Sequence, residues 1–365
     1  MKRITFFINS LSSGGAEHQL VTLANFLVER NYDITIATIS DIQDHYSLNE
    51  NIKRTCIGKS TNKFLKLLSI WKYFLFVDTD CIIIFCQRNS CFALPALLVR
   101  SRRKIKVICS ERNLTVGPQD LIEKLLFKHL YKRADYIVSN SHSQCRYISE
   151  KAPWLITKLV TIINYTSLDV FFYHNQPLNT NIIIGVFCRY EKQKNCLGFI
   201  NAIKKIKEKC PLNFQIHWFG SKRFGNQYLQ DYYNQVVKEI QEYNLEDTVF
   251  LNDSVKNVSE VMASCDAICL PSFFEGFSNT ISEAICCGRP VLCSDVSDNC
   301  LMVHNAHNGY LFDPYNVDSI VDAFLSFFQL SQSERDSMGK NSRSIAEKMF
   351  NKERFVNSYI NLIEK

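Results

Sequence analysis

Two carboxylates, Glu275 and Glu283, stand eight residues apart in the run PSFFEGFSNTISEAICCGRPV, residues 271–291. Two cations, Arg189 and Lys194, stand five apart and directly follow the apolar run IIIGVFC. Carboxylates accept hydrogen bonds from vicinal hydroxyls. Backbone N–H groups freed where a helix begins, here at Ser278, Asn279 and Thr280 beyond the Gly276-Phe277 turn, receive a negatively charged oxygen. Arginine and lysine clamp a diphosphate and neutralise charge that develops on it. A sugar carrying phosphate fits this set. Two plainer readings stay open: Thr280-Ile-Ser-Glu283 is also a capping box in which Glu283 bonds the backbone of Thr280, and a single lysine at such a place can be solvated surface charge.

The elements that must hold these groups follow from periodicity. Short apolar runs alternate with longer amphipathic ones: strands at 3–9, 33–39, 80–86, 105–110 and 135–138, and helices at 15–30, 61–76, 90–100, 119–133. The rhythm restarts with strands at 181–187, 213–219, 247–252, 266–270 and 290–294, and helices at 195–209, 226–243, 257–264, 280–287 and 317–329. Alternation of this kind predicts an α/β fold, parallel sheets with helices on both faces. The polar, turn-rich run 172–181 with Pro177 reads as a linker. The expected organisation is therefore two Rossmann-like parallel-sheet domains facing a central cleft: residues 1–174, residues 175–345, and a C-terminal helix, 346–365, crossing back to the first. Open sheets of this class bind ligands beyond the carboxyl ends of their strands.

A chain of 365 residues, 46% hydrophobic and 21% charged, has the composition of an ordinary globular protein and room for two cores. The fifteen cysteines lie mostly in apolar strand and helix runs, without framework or metal spacing, which predicts buried, reduced thiols and no zinc site. Met1-Lys2-Arg3-ITFFINS has too short an apolar run for a signal peptide and reads as a first strand. No run approaches the length of a membrane span. These features predict a cytoplasmic protein whose membrane contact, if any, is peripheral. The net charge of +6 suits acidic ligands, and no basic-aromatic nucleic-acid module is present.

In the N-terminal half, Ser12-Ser13-Gly14-Gly15 joins the first strand to a helix, a turn that turns backbone N–H groups toward the sheet edge. The missing third glycine argues against a nicotinamide site, although Asp41 stands at a plausible distance. Ser110-Glu111-Arg112-Asn113 ends the strand KVIC and could equally be a turn cluster. His18, His129 and His142 form no catalytic pair. KSTNKFLKLLSIWKYFLF, residues 59–76, and RSRRKIK, residues 100–106, mix lysines with large apolar residues, the pattern of a helix lying on an anionic membrane or of a crossover helix with a basic edge.

R-x4-K-N after a strand, followed by E-x7-E and G-x-P-V, resembles the metal-independent, retaining glycosyltransferases of family 4, which have the GT-B fold. The likeness spans nearly the whole chain and includes Ser13-Gly14-Gly15-Ala16-Glu17, Ser110-Glu111-Arg112-Asn113, Ser139-Asn140-Ser141 and Asn164. It implies that Arg189 and Lys194 bind the donor diphosphate, that Glu275 holds the donor sugar, and that Glu283 binds the ribose hydroxyls. Gly14 and Gly15 would border the diphosphate and acceptor, with Gly276, Phe277, Ser278 and Asn279 forming the sugar-binding turn. The Ser278-Asn279 pair, where many relatives carry glycine or proline, leaves the donor sugar open. SERN is similar to a motif of bacterial enzymes that add hexoses or N-acetylhexosamines to lipid-linked saccharides in polysaccharide and O-antigen synthesis. That implies Glu111 as a catalytic residue orienting the acceptor hydroxyl or the transferred sugar, and Arg112 as a phosphate contact. The implied partners are a nucleotide sugar, taken as UDP-linked, and an undecaprenyl-diphosphate type acceptor at an anionic membrane surface, with no metal and no other cofactor. A sugar-nucleotide 2-epimerase of the same fold and a non-catalytic sugar-nucleotide-binding subunit are the alternatives.

Overall fold

The computed structural model of the chain describes residues 1–12, 14–100, 105–112, 121–179, 181–210, 212–222 and 224–365. Ser13, residues 101–104 of the basic run, Asn113, the start of the helix expected at 119–133 and linker residue 180 lie outside the described residues. Two compact units share the chain: Met1–Tyr165 with Lys352–Lys365, and Thr166–Asn351. The division falls after Tyr165 rather than at 174, and the C-terminal segment that joins the first unit begins at Lys352 rather than 346.

In the first unit the chain runs β1 (Arg3–Ile8), α1 (Gly15–Glu29), β2 (Asp33–Thr38), β3 (Lys53–Cys56), α2 (Lys63–Phe76), β4 (Cys81–Phe85), α3 (Gln87–Val99), β5 (Lys106–Glu111), α4 (Leu121–Lys128), β6 (Tyr136–Ser139), α5 (His142–Lys151) and β7 (Leu159–Thr161). The strands form one parallel sheet in the order β3-β2-β1-β4-β5-β6-β7. Side chains alternate across a strand, so Phe7, Ile82, Ile84 and Val107 share a core with Ile70 and Phe74 of α2, Leu94 and Leu97 of α3, and Leu126 and Phe127 of α4. Cover on both faces is why β4 reads as an unbroken apolar run, CIIIF, buried throughout.

In the second unit β8 (Ile182–Phe187), α6 (Cys196–Lys209), β9 (Phe214–Phe219), α7 (Gln227–Glu242), β10 (Val249–Asn252), α8 (Val258–Ala263), β11 (Ala267–Leu270), α9 (Asn279–Cys286), β12 (Val291–Ser294), β13 (Gly309–Phe312), α10 (Val317–Phe328) and α11 (Gln332–Met349) follow one another. The strands form a second parallel sheet, β10-β9-β8-β11-β12-β13. Gly288 ends α9 at φ +70, a conformation costly for a side chain, and a Cβ there would strike the Tyr173 ring. Arg289, fully buried, donates to the carbonyls of Ala263, Cys265, His174 and Asn175 and so fastens the segment around 174 to this unit.

The last helix, α12 (Lys352–Glu364), returns to the first unit and buries Phe355, Val356, Tyr359, Leu362 and Ile363. Burial of such side chains is worth about 1.5–3 kcal/mol each. The exposed pairs Lys352–Glu29 at 2.8 Å and Lys2–Glu364 at 3.0 Å add at most about 1 kcal/mol apiece. All fifteen cysteines are free thiols, and no helix among the described residues is long and apolar enough to cross a membrane.

Candidate functional site

In the second sheet the chain order reverses direction at β8 and β11, neighbours whose crossovers leave to opposite sides. A crevice opens beyond the carboxyl ends of such a strand pair. Beyond β8, Lys192–Lys194 form one tight turn that ends with Asn195 in the left-handed conformation, φ 53, which asparagine tolerates better than most residues. Gln193 ties this turn to the segment beyond β11: its side-chain amide donates to the Phe274 carbonyl at 2.8 Å, and its own carbonyl accepts from the Phe273 N–H at 2.9 Å. Lys194 Nζ thereby meets Glu275 Oε1 at 2.6 Å, with the two side chains only 13% and 11% exposed. Burial works against the Lys194 ammonium, but the Glu275 carboxylate outweighs it and holds the lysine pKa above its ordinary value. Arg189 stands apart from this pair. Its side chain is 72% exposed and its Nη2 pairs with Glu191 at 2.8 Å. Glu191, two residues along the same loop, carries no motif that marks it in the sequence.

The capping-box reading of Thr280 and Glu283 does not hold. The N-cap of α9 is Ser278, whose Oγ accepts from the Ile281 N–H, while Thr280 Oγ1 donates to the Phe187 carbonyl at 2.9 Å. With the helix starting earlier, Glu283 lies in its second turn, beyond the reach of the N-cap backbone. Its half-buried carboxyl finds no hydrogen-bond partner among the described residues, and burial pushes its pKa up to about 8. Phe277 and Ser278 are themselves buried: the Phe277 ring meets Phe350 edge-on, and the Ser278 carbonyl accepts from Ser282 Oγ at 2.9 Å. The Gly276 carbonyl accepts from Ser297 Oγ at 2.6 Å, and Asn279, half-buried, opens the helix.

In the first sheet the corresponding reversal falls between β1 and β4. A cavity of about 590 Å³ there is lined by Asn9, Glu17, Gln87, Arg88, Glu111 and Arg112 among others. Gly14 precedes α1, and Tyr46 fixes it: the Gly14 N–H donates to Tyr46 Oη at 3.2 Å and Tyr46 Oη donates to the Gly14 carbonyl at 3.0 Å. Gly15 is the first residue of α1. Glu111 is fully buried and accepts from the Tyr131 hydroxyl. Burial, reinforced by the nearby Glu123 and opposed by Gln87 and Arg112, pushes its pKa up to about 8, toward the neutral acid.

Arg112 is not available to a phosphate in the way its motif implies. Its Nη1 donates to Asn164 Oδ1 at 2.8 Å, its Nη2 to Tyr359 Oη at 2.7 Å, and its guanidinium lies 4.5 Å from the Phe85 ring centroid. Arg112 thus fastens α12 to the end of β5. We expect Arg112→Ala to destabilise the protein by about 2–4 kcal/mol, because two polar partners lose a buried charged donor. Chemical denaturation measures this, and a change near zero would show the contact to be idle.

Among the described residues no group of three or more His, Cys, Asp and Glu side chains is placed to hold a metal ion. Residues 13–165 match the family model described as Glycosyltransferase Family 4, and residues 171–345 match the one described as Glycosyl transferases group 1. The chain is 26% identical to the N-acetylgalactosamine-N,N'-diacetylbacillosaminyl-diphospho-undecaprenol 4-alpha-N-acetylgalactosaminyltransferase of Campylobacter jejuni, over 81% of each protein. It is 22% identical to the amylovoran biosynthesis glycosyltransferase AmsD of Erwinia amylovora, over 92% of each. Among solved structures, Anabaena Alr3699/HepE in complex with UDP and glucose superposes over 100% of both chains with a TM-score of 0.84 at 17% identity. Sucrose-phosphate synthase of Thermosynechococcus elongatus gives 0.85 at 16% identity, over 100% of this chain and 98% of its own.

Proposed function

The chain belongs to the family 4 glycosyltransferases and has the GT-B fold, and from that premise we propose that it is a retaining enzyme of cell-surface polysaccharide synthesis. Its donor is a nucleotide sugar, UDP-linked, and its acceptor a saccharide on a lipid diphosphate of the undecaprenyl type. The transferred group is a hexose or N-acetylhexosamine. The observation that carries this reading is the Lys194–Glu275 pair at the carboxyl ends of β8 and β11. A carboxylate placed there accepts from sugar hydroxyls, and the ammonium beside it stabilises the negative charge of a departing diphosphate. Relatives named for diphospho-undecaprenol substrates support the acceptor class, and neighbours solved with UDP support the donor class. The test is nucleotide release: with a panel of UDP sugars, UDP should appear only when a lipid-linked saccharide is added. Release without acceptor, with a changed sugar nucleotide recovered, would point to an epimerase instead.

In this scheme the acceptor hydroxyl attacks from the face the leaving group vacates, and a diphosphate oxygen takes its proton. Glu111, held as a neutral acid beside the first unit's cavity, donates a hydrogen bond to an acceptor or sugar oxygen. Gly14 and Gly15 present backbone N–H groups at the start of α1. With Lys194 supplying the positive charge, EDTA should leave turnover intact. Loss of activity on chelation, restored by magnesium or manganese, would overturn that assignment.

Glu283 gives the proposal a pH signature. Its carboxyl accepts the ribose hydroxyls as the anion, so binding of UDP below pH about 8 releases a proton, and affinity should rise up to about tenfold per pH unit until it levels off above pH 8. Stability moves the other way. A carboxyl whose folded pKa is raised favours the folded state less as pH climbs from the ordinary carboxylate range to about 8. Calorimetry of UDP in buffers of different ionisation heat measures the released proton, and Glu283→Gln should abolish the pH dependence while lowering affinity.

The chain works at the cytoplasmic face of the membrane. α2 buries Ile70 and Phe74 and leaves Phe64, Leu65 and Leu68 exposed beside Lys63 and Lys72, an arrangement suited to an anionic bilayer surface.

A further inference from the structure

The exposed apolar side chains of the first unit are distributed unevenly. Among its described residues, the large apolar side chains that stand open to solvent lie on α2, α3, α4 or the Pro153–Lys158 turn, apart from Met1 and Ile42. These elements cover one face of the sheet together: their inner residues, such as Phe74, Leu94, Leu126 and Leu155, belong to one core. Their outer residues therefore form one outward layer.

The limb of this layer away from α2 has its own chemistry. On α4, Leu121 is 85% exposed and Leu125 stands beside it on the outer face with Lys124 and Lys128, the spacing of one helical stripe. The single carboxylate of α4, Glu123, is buried. Next to this stripe Trp154 is 57% exposed and Ile156 62% exposed. Trp154 Nε1 donates to the Phe127 carbonyl at 3.1 Å, which ties the indole to the C-terminal end of α4. Lys151 is exposed beside it and shares a hollow with Lys124, Lys128 and Trp154. α2 and α3 carry no carboxylate at all.

From this juxtaposition we propose that α4 and the Pro153–Lys158 turn form a second membrane-contact limb, which docks on anionic phospholipid with Trp154 as its interfacial anchor. The inference rests on the membrane contact assigned to α2 and extends it from one helix to the whole helical layer. Glu150, exposed next to Lys151 on α5, is the carboxylate nearest the limb in sequence, whereas α2, α3 and α4 expose none. Large apolar groups interleaved with lysines suit a bilayer surface, where indole rings settle at headgroup level and each lysine adds attraction to anionic lipid. A protein partner of ordinary surface would not select for cations alone across so wide a face.

The test uses the full chain with phosphatidylcholine vesicles, with and without phosphatidylglycerol. Wild type should bind the phosphatidylglycerol vesicles, more weakly at high salt. Its tryptophan emission should shift to the blue, and Trp154→Phe should remove most of that shift, since Trp218 is buried and Trp71 half-buried. Lys124→Glu with Lys128→Glu should weaken binding by about 25-fold or more, at about fivefold per lysine lost. Leu121→Ser with Leu125→Ser should weaken it too, and unchanged melting temperature and UDP affinity would show that these variants fold. If wild type binds but the α4 pairs and Trp154→Phe behave as wild type while Phe64→Ser with Leu68→Ser releases it, the second limb is refuted and the α2 contact stands. If wild type self-associates through Leu121 and Leu125 instead, the second limb is likewise refuted, and if it binds neither kind of vesicle both membrane assignments fall.

Discussion

Glu275→Gln should lower transfer by about 30-fold to 1000-fold while UDP still binds, because a charge-assisted hydrogen bond that strengthens in the transition state is worth about 2–4 kcal/mol. The structure adds a second consequence. Glu275 and Lys194 are paired at 2.6 Å and both mostly buried, so removal of the carboxylate leaves an ammonium without its partner. Breaking such a pair from one side costs up to about 3–5 kcal/mol in stability when burial is complete. The variant should therefore melt at a lower temperature, and UDP should restore part of the loss by bringing its own negative charge to Lys194. Steady-state kinetics beside thermal melts with and without UDP measure both effects. Turnover near wild type would remove Glu275 from the reaction.

Lys194→Ala should reduce the turnover number by about 100-fold and raise the donor KM far less, since charge on the departing diphosphate grows as the bond breaks. Arg189→Ala should do less. Arg189 is exposed and already paired with Glu191, so its pull on a diphosphate is screened and must first be released from that partner. Raising the salt concentration should shrink the Arg189 effect and leave the Lys194 effect nearly unchanged. The double variant should fall short of the sum of the singles, because two cations acting on one anion do so as a unit. Full turnover after loss of Lys194, or an Arg189 effect that exceeds it, would require a different assignment for the anion site.

Periodicity does not predict helix α11, because QSERDSMGKNSRSIAEKM is serine-rich and buries only Met338 and Ala346 among its larger apolar residues, yet its start is marked by Ser331 and Glu334, which form a capping box. Strands β3, β7 and β13 lie at sheet edges, and KRTC, LVT and GYLF carry no fully buried apolar run to mark them. Tyr46 left no signal, since it reaches Gly14 from a loop beyond the next strand.

The period-two and period-3.6 patterns were enough to specify two parallel sheets wrapped by helices, because they record which face of each element must leave water. The sequence also determined that Glu275, Glu283, Arg189 and Lys194 follow or lie between strands of one parallel sheet, the set from which we propose an anionic, hydroxyl-bearing ligand. The environment of each member of that set was decided only by packing in three dimensions. Lys194 and Arg189 look alike along the chain, but Gln193 fastens the turn so that Lys194 meets Glu275, while Arg189 is left in solvent beside Glu191. Glu111 and Arg112 are neighbours in one motif, yet one is a buried acid beside a cavity and the other a fastener for α12. Spacing determines which residues reach the same sheet edge. Burial and the nearest partner determine the charge a group carries there, and both depend on chain segments far away in sequence.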